Sequence, residues 1–248
     1  MRLLWLSLIL VATAGATGCR TGRSPDQMPA RSQTSTSSPT TPLVGTPGNI
    51  ASRANQTADK RPVLVCFGDS LTAGHGTDPG ESYPDFLQKD LGARGYSYRV
   101  VNEGISGNTT KDGLDRIDRV LALHPAVVVV EFGGNDGLRG LRIEDTRSSL
   151  DAILARLKTS GTKIALAGIT LPPDYGPDYI QQFQTTYTVL AKKYSVPFLP
   201  FLLQGAYGVD GMMQEDRIHA TARGNEIVAG NVLKLVTPLL RKDEKSRT

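Results

Sequence analysis

Ser70, His219 and Asp216 are of the types that together carry acyl transfer, and each stands where a fold could present it. Ser70 follows five apolar residues, Val63 to Phe67, and then Gly68 and Asp69, so a small hydroxyl sits where a strand has to stop. Alone, such a Ser reads first as a helix cap. A nucleophile also needs a base, and the chain holds three histidines. His124 precedes Pro125 at a helix end, where a cation is favourable and the role is structural. His75 lies in Gly74-His75-Gly76 near Ser70, with no carboxylate spaced to orient it. His219 follows Asp216 by three residues, a spacing that lets one turn bring carboxylate and imidazole together. The carboxylate can then fix the tautomer and stabilise the imidazolium, which makes Ser70 the nucleophile, His219 the base and Asp216 its orienter.

The same Asp and His could also hold a metal. That needs further ligands, and the sequence offers no paired Cys, no second nearby His and no HExxH. A metal site is therefore the lesser reading.

Acyl transfer also needs donors for the charge that develops on oxygen. Three glycine-rich turns follow three successive strands: Gly68-Asp69-Ser70-Leu71, then the turn from Asn102 through Gly107 to Thr110, then Gly133-Gly134-Asn135-Asp136-Gly137. Gly107 precedes a helix and can turn its N–H toward an anion, and Asn135 offers a side-chain amide. Each turn by itself is also an ordinary way to relieve a strand end or close an Asx-turn. Their conjunction is the informative feature.

These residues require elements to position them. Val63–Phe67 and Val127–Phe132 are apolar enough for strands buried on both faces. Tyr98–Asn102, Lys163–Ile169 and Val196–Leu199 supply three more strands. Helices are expected over Tyr83–Ala93 (capped by Ser82, with Pro84 in the first turn), Thr109–Leu123, Ile143–Thr159, Tyr179–Tyr194 and Ala222–Leu240. Strict alternation implies a parallel sheet with helices on both faces, whose strand carboxyl ends carry the ligand crevice.

The length suits one domain, with some chain left over. Residues 1–18 have the layout of a secretory signal, with an early Arg2, an apolar run from Leu3 to Ala12 and then small residues; the run is too short to span a bilayer. Ala16-Thr17-Gly18-Cys19 resembles a bacterial lipoprotein processing site, in which Cys19 becomes the lipidated first residue. Ala16 stands where a large aliphatic residue is usual, so ordinary cleavage near Ala14 or Ala16 is the alternative. Residues 19–61, rich in Ser, Thr, Pro and Gly, read as a tether, and 242–248 as a charged tail. The residues before Pro62 and after Leu240 carry about +7 against a whole-chain net charge of +4, leaving about −3 for Pro62 to Leu240, which argues against a nucleic-acid-binding face on the domain. Cys66 lies inside an apolar strand and is read as a small buried hydrophobe with no disulfide partner.

Taken in order, Gly68-Asp69-Ser70-Leu71, Gly107, Gly133-x-Asn135 and Asp216-x-x-His219 match the blocks of the SGNH or GDSL hydrolases, and the chain resembles that family over nearly all of Pro62 to Leu240. The longer pieces Gly133 to Gly140 and Leu171-Pro172-Pro173-Asp174-Tyr175-Gly176 are most similar to its bacterial multifunctional thioesterase, lysophospholipase and arylesterase group. The resemblance implies a three-layer α/β/α sandwich of flavodoxin-like type with a five-stranded parallel sheet. It implies Ser70 as nucleophile, His219 as base, Asp216 as acid, and an oxyanion hole made by the Ser70 and Gly107 N–H groups and the Asn135 amide, with no metal and no cofactor. The segment from Leu171 to Tyr179 is a mobile loop in that group; Leu171, Pro172 and Tyr175 are expected at the acyl pocket, with an ordinary Pro-punctuated connection as the alternative. The expected protein is an exported, monomeric serine esterase acting on small esters, thioesters or lysolipids, touching a membrane only through lipid on Cys19 at the periplasmic or outer-envelope side. The alternative from another class is a non-catalytic, membrane-tethered binding domain of the same fold.

Overall fold

The structure, a computed structural model, describes residues 59–242. The leader, Cys19 and most of the tether and tail lie outside them.

Five parallel strands form one sheet in the order β2-β1-β3-β4-β5: β1 (Val63–Gly68), β2 (Arg99–Gly104), β3 (Val127–Glu131), β4 (Lys163–Ala167) and β5 (Phe198–Leu199). All six β1 residues and all five β3 residues are buried, as their apolar runs require for strands covered on both faces. Helices α1 (Ser70–Ala73), α2 (Tyr83–Ala93), α3 (Thr110–Asp115), α4 (Ile117–Leu121), α5 (Gly134–Leu138), α6 (Ile143–Thr159), α7 (Pro177–Tyr194) and α8 (Ala222–Val236) complete it. α2 packs on α8, and α6 packs on α3, α4 and α7, which gives the three-layer α/β/α sandwich. The order 2-1-3-4-5 reverses between β1 and β3, and an open parallel sheet leaves its ligand crevice at such a switch point.

Local chemistry explains the helix starts. The Ser82 hydroxyl and the Asp85 carboxylate close a capping box on α2, and Thr109 with Asp112 does the same on α3. The single helix expected over Thr109–Leu123 is instead two, broken at Arg116 (φ −112°, ψ 12°). Arg116 donates to the carbonyls of Gly68 and Glu103 and to Asn108 Oδ1, at 2.8, 3.0 and 2.7 Å, with its guanidinium over the Phe67 and Phe132 rings. The break lets one side chain reach the ends of β1 and β2. The expected helix to Leu240 stops at Val236, where Pro238 turns the chain into a short 3₁₀ segment.

Gly104 lets α1 sit against β2, because a Cβ there would meet Ala73 N at 2.2 Å. No helix among the described residues is long and apolar enough to cross a membrane.

Candidate active site

Ser70 opens α1 at the carboxyl end of β1, but it is not the cap. That role falls to Asp69, whose Oδ1 accepts from Leu71 N at 3.0 Å, leaving the Ser70 hydroxyl free for other work. Its Oγ lies 2.8 Å from His219 Nε2. His219 Nδ1 lies 2.6 Å from Asp216 Oδ2, so Nδ1–H donates to the carboxylate and Nε2 accepts from the hydroxyl.

The turn around His219 is shaped by the same carboxylate. Asp216 Oδ1 accepts from the amides of Ile218 and His219 at 2.9 and 3.0 Å. Arg217 takes a left-handed φ of 58° to let the chain fold back, and Gln214 N donates to His219 O at 2.8 Å. Partial burial opposes ionisation of Asp216, but the bonds from the His219 ring and from the two amides outweigh it and hold the carboxyl down to about 2.

The turn after β2 is drawn to this end of the sheet by Ile105 N donating to Gly68 O at 3.1 Å. Gly107 has φ +81°, a conformation that favours glycine, and its carbonyl accepts from Arg139 Nη2 at 2.9 Å. Among the described residues its N–H has no acceptor. Ser70 N belongs to the first turn of a helix, where amides have no intrahelical partner. The Asn135 amide is differently placed: Nδ2 donates to Asn108 O at 3.0 Å and to Asp69 Oδ2 at 3.3 Å. An oxyanion would have to replace or share the longer of these.

Beside Ser70 and His219 opens a pocket of about 230 Å³ with mainly apolar walls. Leu171 and Pro172 line it; Tyr175 does not. Instead the Tyr175 hydroxyl donates to the carbonyl of Leu138, itself a wall residue, at 2.8 Å, so Tyr175 supports the wall from behind. Phe201, Leu203 and Tyr207, which the sequence reading does not single out, complete the wall from the segment after β5. The apolar run Phe201-Leu202-Leu203 shortly after the last strand is the one signal for the first two.

The model of the GDSL-like lipase/acylhydrolase family matches residues 66–227, the stretch that contains every part of this geometry. The chain belongs to that family. Among curated acylhydrolases it is 42% identical over 178 residues to esterase TesA of Pseudomonas aeruginosa, covering 71% of this chain and 89% of that protein. It is 36% identical over 181 residues to thioesterase 1/protease 1/lysophospholipase L1 of Escherichia coli, covering 73% and 86%. Among solved structures, the crystal structure of TesA superposes with a TM-score of 0.69 over 72% of this chain and 99% of that one. A psychrotrophic esterase, EstA of Pseudoalteromonas, inhibited by monoethylphosphonate, matches at 26% identity and a TM-score of 0.68, covering 71% and 97%.

Within this acylhydrolase scaffold two acids near Ser70 escape the sequence reading. Asp69 is buried, and burial raises its carboxyl to about 6 against the bonds from Leu71 and Asn135 and the nearby His219. Glu131, fully buried at the end of β3, is raised well above the usual carboxylate range by burial and then by the charge of Asp69. Asp136, also buried, ties α5 to its neighbours by accepting from Thr110 N and Oγ1 and from Thr146 Oγ1, at 2.9, 2.5 and 3.2 Å. Burial pushes the Cys66 thiol up to about 12, so it stays a thiol. Among the described residues no three His, Cys, Asp or Glu side chains group to hold a metal.

Proposed function

We propose that the protein is a serine ester hydrolase that cleaves carboxylic esters or thioesters through an acyl-Ser70 intermediate. The observation that carries this reading is the hydrogen-bonded line from Asp216 through His219 to Ser70, beside an apolar pocket able to take an acyl chain. In the first step Ser70 Oγ attacks the carbonyl carbon while its proton passes to His219 Nε2 and the carbonyl electron pair moves onto oxygen. Collapse of this intermediate expels the alcohol or thiol, which takes the proton from His219. Water then repeats the sequence on the acyl-enzyme and releases the acid. Asp216 holds the imidazole in register and stabilises its charged form.

Three groups serve the oxygen in this reading: the N–H of Ser70, the N–H of Gly107 and the Asn135 amide. A single preorganised donor of this kind is worth about 3 to 4 kcal/mol. The Asn135 contact with Asp69 is the weaker of its two, and it is the one whose N–H an oxyanion shares. Leu171, Pro172, Phe201 and Leu203 receive the acyl chain.

The reading extends to where the enzyme works. Residues 1–18 are an export signal, Cys19 carries lipid, 19–61 form a tether, and the folded unit at 62–241 stands, as a monomer, on the periplasmic or outer-envelope side. The composition of the first 61 residues supports this, as does the lipoprotein-like spacing before Cys19. Cys19→Ala should move the protein from the membrane to the soluble fraction without lowering turnover on water-soluble esters.

The deciding experiment is hydrolysis of chromogenic esters and thioesters graded by chain length, with wild type and Ser70→Ala. The expected result is turnover by wild type and loss of essentially all of it in the folded variant. A Ser70→Ala protein retaining a tenth of normal turnover overturns the assignment.

A further inference from the structure

We infer that Glu131 is a positioning residue that works as a protonated carboxylic acid: its hydroxyl donates to Asp69, and the Asp69 carboxylate in turn aligns Asn135 and the first turn of α1 for reaction. The inference rests on the role given above to Asn135.

Glu131 ends β3, the middle strand, and is fully buried with a nucleophile-bearing turn above it. Its Oε2 accepts from Thr72 Oγ1 at 2.8 Å, and Thr72 Oγ1 lies 3.0 Å from the hydroxyl of the buried Tyr83. With Thr72 donating to Oε2 its only proton is used, so Tyr83 is the donor to Thr72, and a proton on Glu131 then belongs on Oε1. The remaining oxygen, Oε1, has no partner among the described residues. A buried carboxylate oxygen left bare loses its hydration with nothing in return, whereas a hydroxyl at Oε1 can donate.

The acceptor is adjacent. Asp69 directly follows Gly68, which pairs with Glu131 across the sheet and where a Cβ would meet Glu131 Oε2 at 2.5 Å, and the charge of Asp69 is felt at Glu131. Asp69 uses Oδ1 for Leu71 N and Oδ2 for Asn135 Nδ2, so a third donor from Glu131 fits its remaining lone pairs. Two carboxyl groups in contact in a dry site cannot both be charged.

The surrounding groups do not change this. Asp136 and His219 face Asp69; Tyr83 and Tyr187 face Glu131 from α2 and α7, and burial keeps both phenols protonated. Arg116 is the nearby cation; three of its N–H groups go to the carbonyls of Gly68 and Glu103 and to Asn108 Oδ1, and among the described residues it makes no hydrogen bond to either acid. Burial raises both acids, and since both Asp69 oxygens already accept from donors while Glu131 Oε1 is bare, the proton the pair retains sits on Glu131.

The test is infrared difference spectroscopy on resting protein, combined with kinetics of two variants. Wild type at neutral pH should show the carbonyl stretch of a buried protonated carboxylic acid, and Glu131→Gln should lack it. Gln keeps a donor toward Asp69 and an acceptor toward Thr72, so its kcat should stay within about threefold of wild type. Glu131→Leu removes both and should lower kcat by roughly tenfold to a hundredfold with KM nearly unchanged, the signature of a misaligned oxyanion donor. A band that survives in Glu131→Gln, or a Gln variant as slow as the Leu variant, overturns the inference. Should the Leu variant not fold, the band and the Gln kinetics decide alone. A wild type that hydrolyses no ester sinks the esterase reading and leaves the infrared result standing.

Discussion

The rings of His75 and His219 lie 4.6 Å apart, centroid to centroid, inclined at 50°. His75 is fixed there by Gln214 Nε2 donating to its carbonyl at 2.7 Å, with Ser106 Oγ 3.4 Å from its Nδ1. A positive charge at position 75 therefore opposes the imidazolium that His219 becomes during reaction. His75→Lys should lower kcat by about fivefold in dilute buffer, since two charges ~5 Å apart in a water-like medium repel by about 1 kcal/mol. Raising the salt to about 1 M should recover most of the loss, whereas His75→Gln should fall little at any salt. A salt-independent loss in the Lys variant would place the effect in shape instead of charge.

Arg116 joins the ends of β1 and β2 to the Asn108 turn through three donors. Lys cannot reproduce the planar fork, so Arg116→Lys leaves at least one buried carbonyl bare and should cost about 2 to 3 kcal/mol of stability. The urea midpoint measures it. Turnover should fall as well, because Gly68 O and Asn108 both border the turns that hold the oxygen donors.

Asp216 in the folded protein sits at about 2, below its ordinary 3.8. A depressed carboxyl contributes its stabilisation in full above about pH 4 and loses it as the pH falls toward 2. The melting temperature of Asp216→Asn should therefore lie below that of wild type at neutral pH and converge on it between about pH 4 and 2. At neutral pH the variant's kcat should drop by roughly 10² to 10⁴, because Asn favours the wrong imidazole tautomer.

Leu203 is buried and lines the pocket. Leu203→Ser should cut the preference for octanoyl over acetyl esters by about fourfold or more, each buried CH₂ being worth about 0.8 kcal/mol. Tyr175→Phe should change rates on both esters alike, because its hydroxyl holds the Leu138 carbonyl and does not face the chain. A selective loss on octanoyl in the Tyr175 variant would move that ring into the pocket.

What the sequence discloses follows from where the information sits. β1 and α2 are legible because their apolar spacing is strong and a proline or a cap marks their start, and α6 is legible by its apolar spacing alone. The break at Arg116 is not, because apolar spacing runs straight through it and only tertiary bonds of one guanidinium divide the helix. α5 is hidden by Gly133-Gly134-Asn135-Asp136-Gly137, which has the composition of a turn; its helix is held from outside, by Thr110 and Thr146 on Asp136. At the site, Ser70, Asp216 and His219 stand out by type and spacing. Glu131 leaves a fainter mark, a single acid closing a run of four valines, and a strand reading absorbs it. The pocket wall from Phe201 to Tyr207 depends on how an irregular segment folds back, which no periodicity encodes.

One carboxylate, that of Asp216, both bends the chain at Arg217 and grips the imidazole of His219. The four residues from Asp216 to His219 are thus a hinge pin, whose shape and chemistry depend on one side chain. Glu at 216 would keep the charge, but its extra methylene shifts the oxygens off the two amides, so drift at this position has no conservative route.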